Sequence, residues 1–215
     1  MLIVGAKGFA KEVSEILYQM KALEKVVFFD GISNDLPQKL YDQFEILKNF
    51  EEVKNYFKTI SLQFTLGIGN PVLRKKMYDK LVSLGGIFTS TVSPKASIGH
   101  FGNHIAGGCN IITGTVIDNS VIIGKGCLLN TNCTIGHDST IGEFAEICPA
   151  AVISGNVSIG AYSFIGSNAT ILPKIKVGTN VIVAAGSVVT KDIPGNCMVT
   201  GIPAIIKKQL HQLEF

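Results

Sequence analysis

Of the four histidines in this 215-residue chain, His137 stands in the context best suited to chemistry. It sits in Asn-Thr-Asn-Cys-Thr-Ile-Gly-His-Asp-Ser-Thr and is followed at once by Asp138. A neutral imidazole with a pKa near ~6.5 can take a proton from an amine or a hydroxyl. A neighbouring carboxylate can fix the ring tautomer and stabilise the imidazolium. A second place for chemistry is Gly5-Ala6-Lys7-Gly8-Phe9-Ala10. Glycines between a strand and a helix leave backbone N–H groups and a helix N-terminus open to a phosphate. A tight turn without a ligand would use the same glycines, and the spacing is not a full dinucleotide fingerprint.

The elements that must hold His137 are written in a repeat. From Ile105 to Val189, fifteen consecutive positions six residues apart are Ile, Leu or Val, although these types make up only 61 of 215 residues. Small side chains recur two residues earlier, as at Cys109, Thr115, Cys127, Cys133 and Ala145, and Gly often follows the aliphatic residue, as at Gly124, Gly136 and Gly142. The pattern predicts short strands joined by sharp turns that glycine eases, with the aliphatic residue pointing into a narrow core. A period of six suits neither a helix nor a meander; it suits a parallel β-helix. The step from Ile98 to Ile105 is seven, so one residue bulges between His100 and His104. Thr190-Lys-Asp-Ile-Pro-Gly-Asn ends the repeat, and the stretch from Gly201 to Leu213 is expected to form a short terminal helix.

Residues 1–89 read differently. Leu-Ile-Val before Gly5 is a strand, followed by a helix with apolar Val13, Ile16, Leu17 and Met20 at helical spacing. Lys25-Val-Val-Phe-Phe-Asp-Gly is a second strand, ending at Asp30 and Gly31. Residues 49–57 read as a short helix. Gln63-Phe-Thr-Leu-Gly-Ile-Gly is a strand ending at Gly69, followed by a helix that begins at Pro71. This alternation predicts a small parallel sheet with flanking helices. Residues 90–215 then form the prism and its tail.

Together these motifs resemble the hexapeptide-repeat sugar acetyltransferases with a Rossmann-like N-terminal domain. That family includes nucleotide-linked amino-sugar N-acetyltransferases of the bacillosamine and perosamine type and sialic acid O-acetyltransferases. The resemblance implies a left-handed β-helix with three six-residue sides per coil, so residues 18 apart lie above one another. It implies His137 as general base with Asp138 beside it, and Gly155, one coil above, as an oxyanion donor to an acetyl thioester. It places acetyl-CoA contacts at Glu146, Ser167 and Ala185, with Glu146 standing where several relatives carry a second histidine. It places the nucleotide-linked sugar at Lys7, Gly8, Phe9, Asp30, Gly31, Gly69 and Asn130. Phe9 and Gly31 depart from the family pattern. The Gly201-Ile-Pro-Ala segment matches the signature that closes the prism in many relatives. The implied assembly is a cytoplasmic homotrimer with active sites between subunits, and the implied reaction is acetyl transfer to an amino group, with a sugar hydroxyl as the alternative acceptor.

Composition narrows the alternatives. Apolar residues make up 47% and charged residues 16% of the chain, which excludes a disordered segment. The longest apolar run is five residues, against about 18 for a membrane span, so no membrane insertion is expected. No signal peptide is expected from Met-Leu-Ile-Val-Gly-Ala-Lys-Gly. A net charge of +3 without a basic block gives no nucleic-acid face. Five cysteines without a paired motif read as buried thiols. A hydration enzyme of the γ-type carbonic anhydrase class would need three histidine ligands on adjacent coils. His100 and His104 are two coils from His137, so no metal is expected. A non-catalytic scaffold on the same prism is the remaining alternative.

Overall fold

The computed structural model describes residues 1–214. The N-terminal domain comprises β1 (Leu2–Val4), α1 (Gly8–Gln19), β2 (Val27–Phe29), β3 (Lys39–Leu40), β4 (Phe44–Leu47), α2 (Phe50–Thr59), β5 (Gln63–Leu66), α3 (Pro71–Ser83) and β6 (Ile87–Phe88). Its sheet runs β3-β4-β2-β1-β5-β6, parallel except for the β3–β4 hairpin. The central strand is buried on both faces, with Leu2 and Ile3 at 0% exposure, as a parallel sheet between helices requires. Asn49 caps α2 by accepting the Glu52 N–H at 3.0 Å, and Asn70 caps α3 by accepting from Leu73 at 2.9 Å. The β3–β4 hairpin has no counterpart in the sequence reading.

Beyond Ser90 the chain winds through three parallel sheets of two- and three-residue strands. The docking face carries Thr91–Val92, Asn110–Ile111, Leu128–Leu129, Glu146–Ile147, Phe164–Ile165 and Val181–Val183. The middle face runs from Ser97–Ile98 to Val188–Val189, and the far face from His104–Ile105 to Lys176–Val177. From His104–Ile105 to Thr170–Ile171 each strand pairs with the one 18 residues on, as Thr134–Ile135 does with Val152–Ile153, whereas Thr91–Val92 and Ser97–Ile98, before the extra residue, pair 19 residues on. From Ile111 to Val189 the sixth-residue aliphatics are at most 3% exposed and form one continuous core with the small residues two places earlier. The seven-residue step is held by Asn103, which donates to the Gly99 and Asp118 carbonyls, both at 2.8 Å, and accepts from Val121 at 2.8 Å.

The corners correct the expected role of the glycines. Every sixth residue from Gly108 to Gly186 has a positive φ, and this left-handed residue is the third after the aliphatic one, not the glycine that directly follows it. The directly following glycine answers to stacking instead. A Cβ on Gly136 would lie 2.6 Å from the Gly155 nitrogen of the next coil. Asn, Asp and Gly suit the left-handed position, but Phe144 (φ 53) and Tyr162 (φ 58) do not, and both face the N-terminal domain.

The tail also departs from expectation. The predicted terminal helix is instead a hairpin of strands Cys197–Gly201 and Ala204–Gln209. The first strand extends the docking face beside Val181–Val183. Gly201, at φ 109, then turns the chain back antiparallel. An open sheet edge offers backbone partners at once, whereas an isolated helix of this length must first form a costly nucleus.

The domains share a continuous junction. Ile16 of α1 packs with Ile112 and Leu128 of the prism. Phe64 stacks on Phe88 at 5.1 Å, Phe88 lies 6.5 Å from Phe144, and Phe144 lies 5.9 Å from Tyr162, the rings of each pair nearly parallel. Buried Asn110 accepts from Thr65 at 2.9 Å and Thr91 at 2.6 Å and donates to the Leu66 carbonyl at 2.7 Å.

Candidate active site

The structure sorts the sequence-derived residues into four places. Lys7, Gly8, Phe9, Asp30, Gly31 and Gly69 line one cavity of about 770 Å³ in the N-terminal domain. All lie beyond the carboxyl ends of β1, β2 and β5, where the chain leaves β1 for strands on opposite sides. Such a switch point opens a crevice. Gly67 lets α1 approach: a Cβ there would lie 2.7 Å from Ala10. Gly8, at the start of α1, meets no protein atom within 4 Å of a built Cβ, so what its missing side chain keeps free is cavity. Lys7 occupies the N-cap position without a side-chain cap, which leaves the helix N-terminus to the cavity. Its ammonium pairs with Asp35 at 2.7 Å on the surface.

Asp30 is committed to its own loop. It accepts from the Ile32 and Ser33 N–H groups at 3.1 and 2.9 Å and from the Ser33 hydroxyl at 3.1 Å. Burial raises its pKa, but the Ser33 and Ile32 hydrogen bonds and nearby Lys48 outweigh that and hold the carboxyl below its ordinary value. Phe29, Phe50, Leu73 and Met77 complete an apolar wall with Lys48 beside it, and sequence reasoning missed all five. Lys48 follows β4, a strand that was not read from the sequence.

His137, Asp138 and Gly155 meet at the corner between the middle and far faces. His137 Nδ1 lies 2.7 Å from the Asp138 carboxylate, and both side chains are more than half exposed. With Nδ1–H donated to Asp138, Nε2 carries the free lone pair. The ring lies against Gly155: a Cβ there would be 2.5 Å from Nε2. Asn156 N–H donates to the His137 carbonyl at 2.8 Å, tying the two coils together. The left-handed φ of 59° at Asp138 is the repeat's own corner conformation.

Ser167 and Ala185 stack at the other end of the middle face, at its corner with the docking face, above Pro149. The Asn168 and Gly186 N–H groups donate to the Pro149 and Ser167 carbonyls at 3.1 and 2.9 Å. Asn130 lies at this same corner, outside the cavity, and its side chain accepts from Thr131 N–H at 2.9 Å. Within one chain Asn130 thus stands apart from Lys7 and Gly69.

Glu146 departs from the expected cofactor contact. It points from the docking face into the domain junction, is 7% exposed, and pairs with Arg74 at 3.3 Å. A carboxylate roofed by the N-terminal domain is not available to a cofactor in the way Ser167 and Ala185 are. Burial raises its pKa, and Arg74 offsets this only in part. Arg74 escaped the sequence reading, although it is the chain's one arginine, itself a signal. Among the described residues no group of three metal-ligating side chains converges, and no helix is long and apolar enough to cross a membrane.

The PglD N-terminal domain family matches residues 1–81, and the bacterial transferase hexapeptide repeat matches three overlapping stretches, 114–149, 139–172 and 156–191. No curated protein matches the chain by sequence. Among solved structures, a mutant of perosamine N-acetyltransferase from Caulobacter crescentus, in complex with CoA and GDP-perosamine, superposes with a TM-score of 0.89 at 26% identity, covering 97% of this chain and 96% of that one. The acetyltransferase domain of PglB from Neisseria gonorrhoeae, in complex with acetyl coenzyme A, gives 0.85 at 27% identity, covering 96% and 98%. WeeI from Acinetobacter baumannii gives 0.87 at 26% identity with the same coverage. Both halves are matched and their pairing is preserved along the whole chain: the protein joins a PglD-type N-terminal domain to hexapeptide repeats, the architecture of the sugar N-acetyltransferases it resembles.

Proposed function

We propose that the protein transfers acetyl from acetyl-CoA to the amino group of a nucleotide-linked amino sugar. The observation that carries this reading is the full-length likeness to perosamine N-acetyltransferase with CoA and GDP-perosamine. The residues fit the chemistry. The cavity offers aromatic and apolar walls for a base, and the open N-terminus of α1 for phosphate. His137, with Nδ1 held by Asp138, takes the proton as the amine attacks the thioester carbonyl. The Gly155 N–H, unshielded by a side chain, stabilises the oxyanion that develops. Collapse of that intermediate forms the amide and releases CoA thiol, with the proton passing from His137 to the leaving sulfur.

The fold separates these parts within one chain. The N-terminal domain covers the docking face, whereas His137 lies at the corner opposite that face. The Ser167–Ala185 column lies at yet another corner. In this reading a sugar anchored in one chain's cavity meets the His137 of another, in the homotrimer with sites between subunits that the family resemblance implies. The test is incubation with acetyl-CoA and paired nucleotide-linked sugars that carry either an amine or a hydroxyl at the acceptor carbon, following thiol release and product mass. Transfer to the amine supports the reading. Transfer to the hydroxyl alone, or no thiol release with any sugar, contradicts it.

A further inference from the structure

The chain uses one arginine among 19 basic residues, and it lies neither in the cavity nor beside His137. Arg74, in the first turn of α3, is 1% exposed. Its guanidinium donates to the Gly69 carbonyl, to the Glu146 carboxylate at 3.3 Å, and to the Phe144 and Ala145 carbonyls at 2.6 and 3.0 Å. Gly69 belongs to the turn that walls the cavity, and the other three acceptors belong to a single coil of the prism. One planar group thus spans from the cavity wall to the prism. A lysine presents a single charged point and cannot reach both sides with the same fork.

Stability alone is a poor reason for such a group. A buried ion pair seldom outperforms apolar packing of equal volume, and Nε finds no partner among the described residues. The junction is also already held by the aromatic ladder and by Asn110. What the fork adds is registry. We propose that Arg74 is a positioning residue that clamps the turn at residues 67–70 onto the Phe144–Glu146 coil. In doing so it fixes where the cavity delivers its sugar relative to the prism. This rests on the proposed function, and it gives Glu146 the task of anchoring the clamp in place of a cofactor contact.

The experiment compares full-length wild type, Arg74→Lys and Glu146→Gln in two measurements. One is amide hydrogen exchange at residues 67–70, referenced to β1 and to the strand Thr170–Ile171. The other is the ratio of kcat/KM for a nucleotide-linked amino sugar to that for the same sugar without its nucleotide. Arg74→Lys should speed exchange at residues 67–70 at least ten-fold against both references and lower the ratio ten-fold or more. Glu146→Gln, which keeps an oxygen facing Arg74, should move both in the same sense by less. Unchanged exchange at residues 67–70, or faster exchange throughout the domain with both acceptors slowed equally, overturns the proposal. If Arg74→Lys does not fold, Glu146→Gln makes the same comparison. A wild type inactive on both acceptors would refute the proposed function, while the exchange measurement would still decide whether the clamp exists.

Discussion

In the prism one rule repeats every six residues, and each coil rests on a copy of itself. In the N-terminal domain no spacing recurs, and its cavity is assembled from turns after four different strands. The prism's proposed chemistry lies where the rule is kept but one side chain is special, as at His137 and Gly155. The domain's proposed binding site lies where backbone is left bare, at Gly8 and the open end of α1. A repeat therefore builds a rigid rod on which a catalytic group can be placed by register alone. An irregular domain builds a concave site but needs the rod to fix its position. The junction, where Phe144 breaks the corner pattern and Arg74 crosses between the two, is where those strategies meet.

The sharpest way to break the comparison is to remove the special side chain and leave the rod intact. His137→Ala should lower kcat by about 10²–10⁴-fold, the usual worth of positioned proton transfer. Acetyl-CoA affinity by calorimetry should change little, because the interaction is made in the transition state. His137 is exposed, so the melting temperature should stay close to that of wild type. A variant that keeps wild-type kcat would remove His137 from the mechanism.

The second test sets junction against repeat. Phe144→Ala should destabilise the protein by about 3–5 kcal/mol in chemical denaturation, the range for a fully buried phenylalanine. Ile135→Val, within the repeat, should cost only about 0.5–1.5 kcal/mol. Equal losses would mean that Phe144 is an ordinary corner residue and that the domains are not joined through it.

The prism was legible in the sequence because its contacts are set by register: Ile135 pairs with Ile153 for the same reason that Ile117 pairs with Ile135. The cavity was legible through glycines that close strands. The junction was not, since Arg74 and Glu146 are 72 residues apart and no periodicity connects them. The tail misled because Ile205 and Ile206 are read against a neighbouring strand, Cys197–Gly201, which local propensity does not see.

The smallest effect concerns the cavity loop. Asp30 is held below its ordinary pKa, so its stabilisation is present above the carboxylate's unfolded value and is lost as pH falls through the lowered one. Asp30→Asn should therefore lower the melting temperature at pH 7 by no more than about 2–4 °C. The difference from wild type should close below about pH 4. A gap that persists in acid would show that the Asp30 charge is not what holds residues 31–33.

The central claim, that one chain's cavity serves another chain's His137, is tested most directly by subunit complementation. One chain carries His137→Ala. The other carries Gly8→Glu, which fills the open space at the start of α1 and places a negative charge where phosphate would bind. Each should be nearly inactive alone. Refolded or co-expressed together they should regain acetyl transfer, because an intact cavity then faces an intact His137 across a subunit boundary. A mixture that forms mixed oligomers yet stays as inactive as its components would place cavity and base in the same chain and contradict the account.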